Sequence, residues 1–178
     1  AGAVCTGVGI GPTKIDEIIG VVKAYLSRVG SGPVPSEAKG KMGDYLRERG
    51  QEYGTTTGRP RRCGWIDLVQ LRYACRVNGL TSIAVTKIDV LGGLKKIPLA
   101  VKYKYKSTYL AELPADLEII RHCKPIYREL PGWKNLTDDD FATIVKHGYT
   151  ALPPRMKDYL KFIMHEVATP VSLVSVGA

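Results

Sequence analysis

Three guanidiniums and three hydroxyls lie between glycines in Gly54-Thr55-Thr56-Thr57-Gly58-Arg59-Pro60-Arg61-Arg62-Cys63-Gly64-Trp65, the stretch of this chain best supplied for holding an anion. An arginine grips a carboxylate or a phosphate through two parallel hydrogen bonds, and adjacent threonine hydroxyls add donors to the same pocket. Pro60 separates Arg59 from Arg61 and restricts the backbone between them. A solvated basic loop is the plainer alternative.

A second candidate is Thr86-Lys87-Ile88-Asp89-Val90, which follows Ser82-Ile83-Ala84-Val85, a short apolar run that reads as a buried strand. A lysine and an aspartate two apart at a strand exit resemble the base-reading element of GTP-binding proteins. Guanine offers N1–H and N2–H₂ donors side by side, so one carboxylate accepts from both and rejects adenine, which lacks the pair. Asp89 would set that choice, while the stem of Lys87 covers the purine face and its ammonium fixes the loop. The same residues also suit an ordinary polar strand exit.

Other stretches carry weaker chemistry. Gly7-Val8-Gly9-Ile10-Gly11-Pro12-Thr13 reads as a glycine-rich turn, with Thr13 capping a helix through Ile15, Ile18, Ile19, Val22 and Leu26. Such a turn at a helix start could approach a phosphate or simply connect two elements. Asp138-Asp139-Asp140 after Thr137 suits the first turn of a capped helix better than a metal site, because consecutive side chains do not converge on one cation. His122, His147 and His165 are far apart in sequence and read as surface or structural residues.

These segments need elements to hold them. From Arg28 to Gly54 the chain reads as a long loop with a short helix near 41–49. The pattern from Ile66 to Val77 predicts a helix closed at Asn78-Gly79. Residues 97–106 alternate apolar and basic side chains as a half-exposed strand does, which accounts for the lysines without nucleic acid. Residues 124–133 read as a proline-punctuated connector. A helix after Pro153-Pro154 has Met156, Tyr159, Leu160, Ile163, Met164 and Val167 on its apolar side.

A chain of 178 residues, 44% hydrophobic and 24% charged, can bury the core of one domain. Its net charge of +9 favours anionic partners without choosing among them. Cys5, Cys63, Cys75 and Cys123 form no C-x-x-C pair and read as reduced thiols of a cytoplasmic protein. No stretch approaches the roughly 20 apolar residues that span a bilayer. The chain opens on Ala1 without Met and stops at Ala178 after an apolar run that reads as a strand, so both ends read as cut.

Taken in order, Gly7 to Pro12, Lys23-Ala24-Tyr25, Arg28-Val29-Gly30-Ser31-Gly32-Pro33, Gly54 to Trp65, Thr86 to Leu91, Leu130-Pro131-Gly132-Trp133 and Ser175-Val176-Gly177 resemble adenylosuccinate synthetases, specifically their carboxy-terminal portion. The match covers essentially the whole chain. The resemblance implies a single incomplete α/β domain over residues 1–178. It would hold the later part of a mainly parallel sheet of the phosphate-loop nucleotide-binding class, with small antiparallel elements. The implied activity is GTP-dependent ligation of inosine monophosphate (IMP) and L-aspartate to adenylosuccinate, in a cytoplasmic homodimer using magnesium.

By the same resemblance, an aspartate loop at about 54–62 would use Thr55, Thr56, Thr57, Gly58, Arg59, Pro60 and Arg61 to hold the substrate aspartate. Arg59 would also reach IMP, which Val29 contacts. Arg61 would face GTP, with Lys87, Ile88 and Asp89 of segment 86–89 around the guanine and Ser175, Val176 and Gly177 as its second contact.

The departures from the family matter as much. The phosphate loop G-D-E-G-K-G-K, the catalytic aspartate, the catalytic histidine and the magnesium ligands do not occur in this chain, so no catalytic residue and no metal ligand is assigned to it. The chain by itself is expected to be inactive and to expose a sheet edge and apolar surface. Pro60 stands where many members carry arginine, and Ala178 where the family continues. A non-catalytic module binding guanine nucleotides or acidic metabolites is the alternative; binding to nucleic acid or a membrane is not expected.

Overall fold

The glycine-rich start of the chain turns at Gly9 and Pro12–Lys14 but does not lead into the expected helix. In the computed structural model, which describes residues 2–177, a short helix α1 (Gly2–Val8) precedes a 3₁₀ turn at Pro12–Lys14 and then strands β1 (Ile19–Lys23) and β2 (Tyr25–Arg28). Ile19, Val22 and Leu26, assigned above to a helix, therefore lie in strands. Short apolar runs satisfy either periodicity, and β-branched Ile19, Val21 and Val22 suit a pleated strand. Gly20 allows the close approach of Leu80, because a Cβ there would overlap the leucine Cδ1. No helix follows the glycines, so the phosphate site considered at its N-terminus does not form. The readings attached to Ala1 and Ala178 lie outside the described residues.

The next elements follow the sequence more closely. Helix α2 (Lys41–Gly50) occupies the expected place in the long loop and leads to β3 (Arg62–Trp65). Helix α3 (Leu68–Asn78) is capped by Asp67, whose side chain accepts from the amides of Val69 and Gln70, and it ends on Gly79 at φ 59°. Asp67 is buried and also accepts from the Tyr103 hydroxyl at 2.7 Å, so it anchors the helix start to the neighbouring sheet. Burial raises its pKa, and these hydrogen bonds act against the rise.

Strand β4 (Ser82–Thr86) lies parallel between β1 and β8 (Val171–Val174), as the order β1-β4-β8. All of its residues but Thr86 are buried, which suits an apolar run at the centre of a parallel sheet. A second sheet has the order β6-β5-β7, with β5 at Lys96–Tyr105, β6 at Thr108–Leu110 and β7 at Lys124–Pro131. The expected connector at 124–133 is thus largely a strand. Its prolines are tolerated because β7 pairs on one side only. Lys102 and Lys104 of β5 are exposed as expected, although a register shift between Ala100 and Lys102 interrupts the alternation. Strands β2 and β3 form a small antiparallel ribbon.

Three further helices complete the chain: α4 (Leu117–His122), α5 (Asp138–His147) and α6 (Pro154–Val167). Thr137 and Asp140 form a reciprocal capping box on α5, so the aspartates open a helix as predicted. Helix α6 buries Met156, Tyr159, Leu160, Ile163 and Val167, whereas Met164 is only half-buried. Its Tyr159 meets Trp133 edge to face at 5.5 Å and donates to the Ala24 carbonyl at 2.6 Å. The core around it includes Leu46, Leu68, Ile83, Ile88, Leu91, Ile97 and Leu99. Each such side chain contributes about 1.5–3 kcal/mol on leaving water.

The expected sheet edge is present at β1, where Val21 is 77% exposed. A groove of about 790 Å³ runs beside it, between apolar residues such as Leu71, Leu80 and Leu113. Its lining includes Lys23 and Ser27.

Candidate functional site

In parallel sheets ligands settle at the carboxyl ends of the strands, where connections splay apart and leave backbone groups free. Here three such ends come together. The Ala24 amide, just past β1, donates to the Thr86 carbonyl at 2.8 Å, and the Ser175 amide, just past β8, donates to the Val85 carbonyl at 2.8 Å. Segments 86–89 and 175–177 therefore leave the sheet from adjacent strands on the same side.

Lys87 turns the chain out of β4 with φ 56°, a left-handed conformation that costs a non-glycine residue about 1–2 kcal/mol. The cost is offset by anchoring on both sides. The lysine Nζ donates to the Gly50 carbonyl at 2.6 Å, and Ile88, Val90 and Leu91 of the following 3₁₀ turn are buried. Arg49 donates to the Asp89 carbonyl at 3.4 Å, while the Tyr45 hydroxyl donates to the Gly92 carbonyl at 2.7 Å. The end of α2 thus clamps the turn that carries Asp89. Asp89 Oδ1 is buried and has no hydrogen-bond partner. A buried acceptor without a donor is costly, so this carboxylate is suited to receiving donors from a ligand.

The loop from Thr55 to Pro60 is exposed along its whole length. It is closed on itself, with the Gly54 amide donating to the Arg59 carbonyl at 2.9 Å and the Gly58 amide to the Gly54 carbonyl at 2.8 Å. Its three arginines have different surroundings. Arg59 is exposed at the tip. Arg61 is half-buried, donates to Glu52 Oε2 at 3.1 Å and keeps a buried Nε without a partner. Arg62 is bidentate to Glu37 at 2.8 and 2.6 Å and also donates to the Gly32 carbonyl at 2.6 Å. That pairing lowers the Glu37 pKa. Arg62 is therefore occupied by the protein, which leaves Arg59 and Arg61 for an anion.

Val29 is 74% exposed and follows Arg28, whose backbone pairs with Arg62 across the ribbon. The exit of β2 and the end of the 54–61 loop are consequently neighbours.

Sequence reasoning missed Glu52, which is only 1% exposed and joins these parts. It accepts from Lys23 Nζ at 2.6 and 2.8 Å, from the Tyr25 hydroxyl at 2.5 Å and from Arg61. Burial pushes its pKa up, but the hydrogen bonds from Lys23 and Tyr25 more than offset this and hold it below the ordinary value. No local pattern around Gln51-Glu52-Tyr53 could have found it, since its partners lie up to 29 residues away.

The four cysteines are free, and burial pushes the Cys63 thiol up to about 11. No helix among the described residues is long and apolar enough to cross a membrane.

The adenylosuccinate synthetase family model matches residues 1–178. The chain is 52% identical over 177 residues to the adenylosuccinate synthetase of Carboxydothermus hydrogenoformans, covering 99% of this chain and 40% of that protein. It is 51% identical to the enzyme of Gloeobacter violaceus, covering 100% of this chain and 39% of the relative. A solved structure described as fully ligated adenylosuccinate synthetase from Plasmodium falciparum superposes with a TM-score of 0.87 at 41% identity, over 99% of this chain and 41% of that one. The chain thus spans about 40% of the length of these relatives and shares their α/β fold. It belongs to the adenylosuccinate synthetase family.

Proposed function

We propose that this chain supplies the guanine- and aspartate-binding parts of an enzyme that ligates IMP to L-aspartate at the expense of GTP, releasing GDP and phosphate. Its placement in the carboxy-terminal portion rests on the order of its motifs. The observation that carries the reading is the buried, unpartnered Oδ1 of Asp89 on a clamped turn at the mouth of a parallel sheet. That carboxylate accepts from guanine N1–H and N2–H₂, and adenine leaves it unsatisfied. Lys87 braces the turn through Gly50, and residues 175–177 flank the base.

The exposed loop Thr55–Arg61 supplies donors for the two carboxylates of aspartate. Arg59 at the tip has no ion pair among the described residues, and Arg61, though bonded to Glu52 through Nη1, keeps its Nε without a partner. Arg59 would extend to the ribose of IMP, Val29 would contact IMP and Arg61 would face GTP. The described residues contain no group of three or more His, Cys, Asp or Glu able to hold a metal ion. Magnesium, as the family resemblance implies, would take its ligands from outside this chain and from the nucleotide phosphates. The whole enzyme is read as a cytoplasmic homodimer.

The decisive experiment substitutes Asp89→Asn in the intact synthetase. An amide can accept from N1–H but meets N2–H₂ with its own donor, so KM for GTP should rise about tenfold to a hundredfold, following the 1–3 kcal/mol of a bidentate base contact. Xanthosine triphosphate, which carries an acceptor at position 2, should then outcompete GTP. An unchanged preference for GTP would overturn the assignment.

A further inference from the structure

Resting on the reading above, we propose that Glu52 is a positioning residue that presents Arg61 and the 54–60 loop to the aspartate substrate. Its backbone and side chain act at the same point. The Glu52 amide donates to the Arg47 carbonyl at 2.8 Å, and its carbonyl accepts from the Arg61 amide at 2.9 Å, so this one residue closes the base of the loop. Its carboxylate then fixes the guanidinium of Arg61 at 3.1 Å and the ammonium of Lys23 at 2.6 Å.

The charge balance favours a role beyond packing. One carboxylate stands against two cations, so the cluster keeps a net positive charge. Both cations remain partly open to solvent, at 27% for the Lys23 side chain and 29% for Arg61. Two of the Arg61 nitrogens have different fates: Nη1 is bound to Glu52, while Nε is buried without a partner. Glu52 thus holds the guanidinium through Nη1, and the solvent-open part of the Arg61 side chain leaves donor capacity for an incoming carboxylate. Tyr25 donates to Oε1, and Lys23 bridges both oxygens and also donates to Ser27 at 2.8 Å, which prevents Glu52 from following Arg61 if the loop moves. Lys23 ends β1, so the loop base is referenced to the same sheet that carries the guanine segment.

The test compares the intact synthetase with Glu52→Gln and Glu52→Asp variants, measuring KM for aspartate, GTP affinity without aspartate, and thermal midpoint. Gln keeps the shape but turns an amide donor toward Arg61 or Lys23. KM for aspartate should rise at least tenfold with Gln and less with Asp, and GTP affinity of folded protein should fall by less than this, because Arg61 also faces GTP while the loop that Glu52 closes holds aspartate. Combining Glu52→Gln with Arg61→Ala should raise KM for aspartate no further than Arg61→Ala alone, because the first acts through the second. An unchanged aspartate KM, or an additive double variant, would overturn the role of Glu52 while the function itself stands. Absence of adenylosuccinate formation by the unaltered enzyme would instead overturn the underlying reading.

Discussion

Segment 86–89 and the 54–61 loop, proposed to meet guanine and aspartate, are both short, polar and rich in candidate contacts, yet the fold supports them in opposite ways. Segment 86–89 leaves a buried strand and is pinned from below by Ile88, Val90 and Leu91 and from the side by Lys87, Arg49 and Tyr45. The 54–61 loop has no such floor. Its tip is exposed, and its fixed points lie at Glu52, Arg61 and a backbone bridge between Tyr53 and Pro60. A rigid mount suits discrimination between bases, because the unfavourable partner cannot be accommodated by movement. A loop held only at its base can close over a small dianion after it arrives.

The largest effect expected from this contrast concerns stability. Ile88→Ala removes a fully buried side chain beneath the guanine turn and should cost about 2–5 kcal/mol, read as a drop in the denaturation midpoint together with weaker GTP binding. A loss below 1 kcal/mol would mean that the turn is not braced by the core. Arg59→Ala should do the reverse. Losing a charged hydrogen-bonding group worth about 1.5–3 kcal/mol raises KM for aspartate roughly tenfold to a hundredfold, while the midpoint stays unchanged because the side chain is exposed.

A smaller effect is expected in acid. The pKa of Glu52 is lower in the folded protein than its ordinary value of 4.5, so its contribution to stability is present above that value and is lost as pH falls through the folded pKa. Glu52→Gln should therefore flatten the acid side of the stability profile and lower stability at neutral pH. A parallel profile would show that Glu52 titrates alike in folded and unfolded chains.

Several elements were legible because their signals are local. Gly79 closes α3 as a left-handed residue, Thr137 opens α5 with acids in its first turn, and the spacing of Met156, Tyr159, Leu160 and Ile163 defines the buried face of α6, whereas the Asp67 cap that starts α3 one residue after the predicted Ile66 was not read. The region from Ile15 to Leu26 was misread because its apolar spacing also suits a helix. Pairing with Ser82–Thr86, a distant segment, decides in favour of a strand. Residues 124–131 become a strand for the same reason, since β5 supplies their partners.

The sequence by itself determined the family, the identity of the polar residues proposed to meet guanine and aspartate, and the helices whose ends carry their own caps. Those properties depend on residue type and on neighbours within one or two turns. Only the tertiary structure decided which of these residues are free to bind: Arg62 is occupied by Glu37, Lys87 by Gly50, and Arg61 in part by Glu52, whereas Asp89 Oδ1 is left unpartnered. Those assignments follow from long-range burial and strand pairing, because a charge is committed or available according to the groups that folding brings beside it.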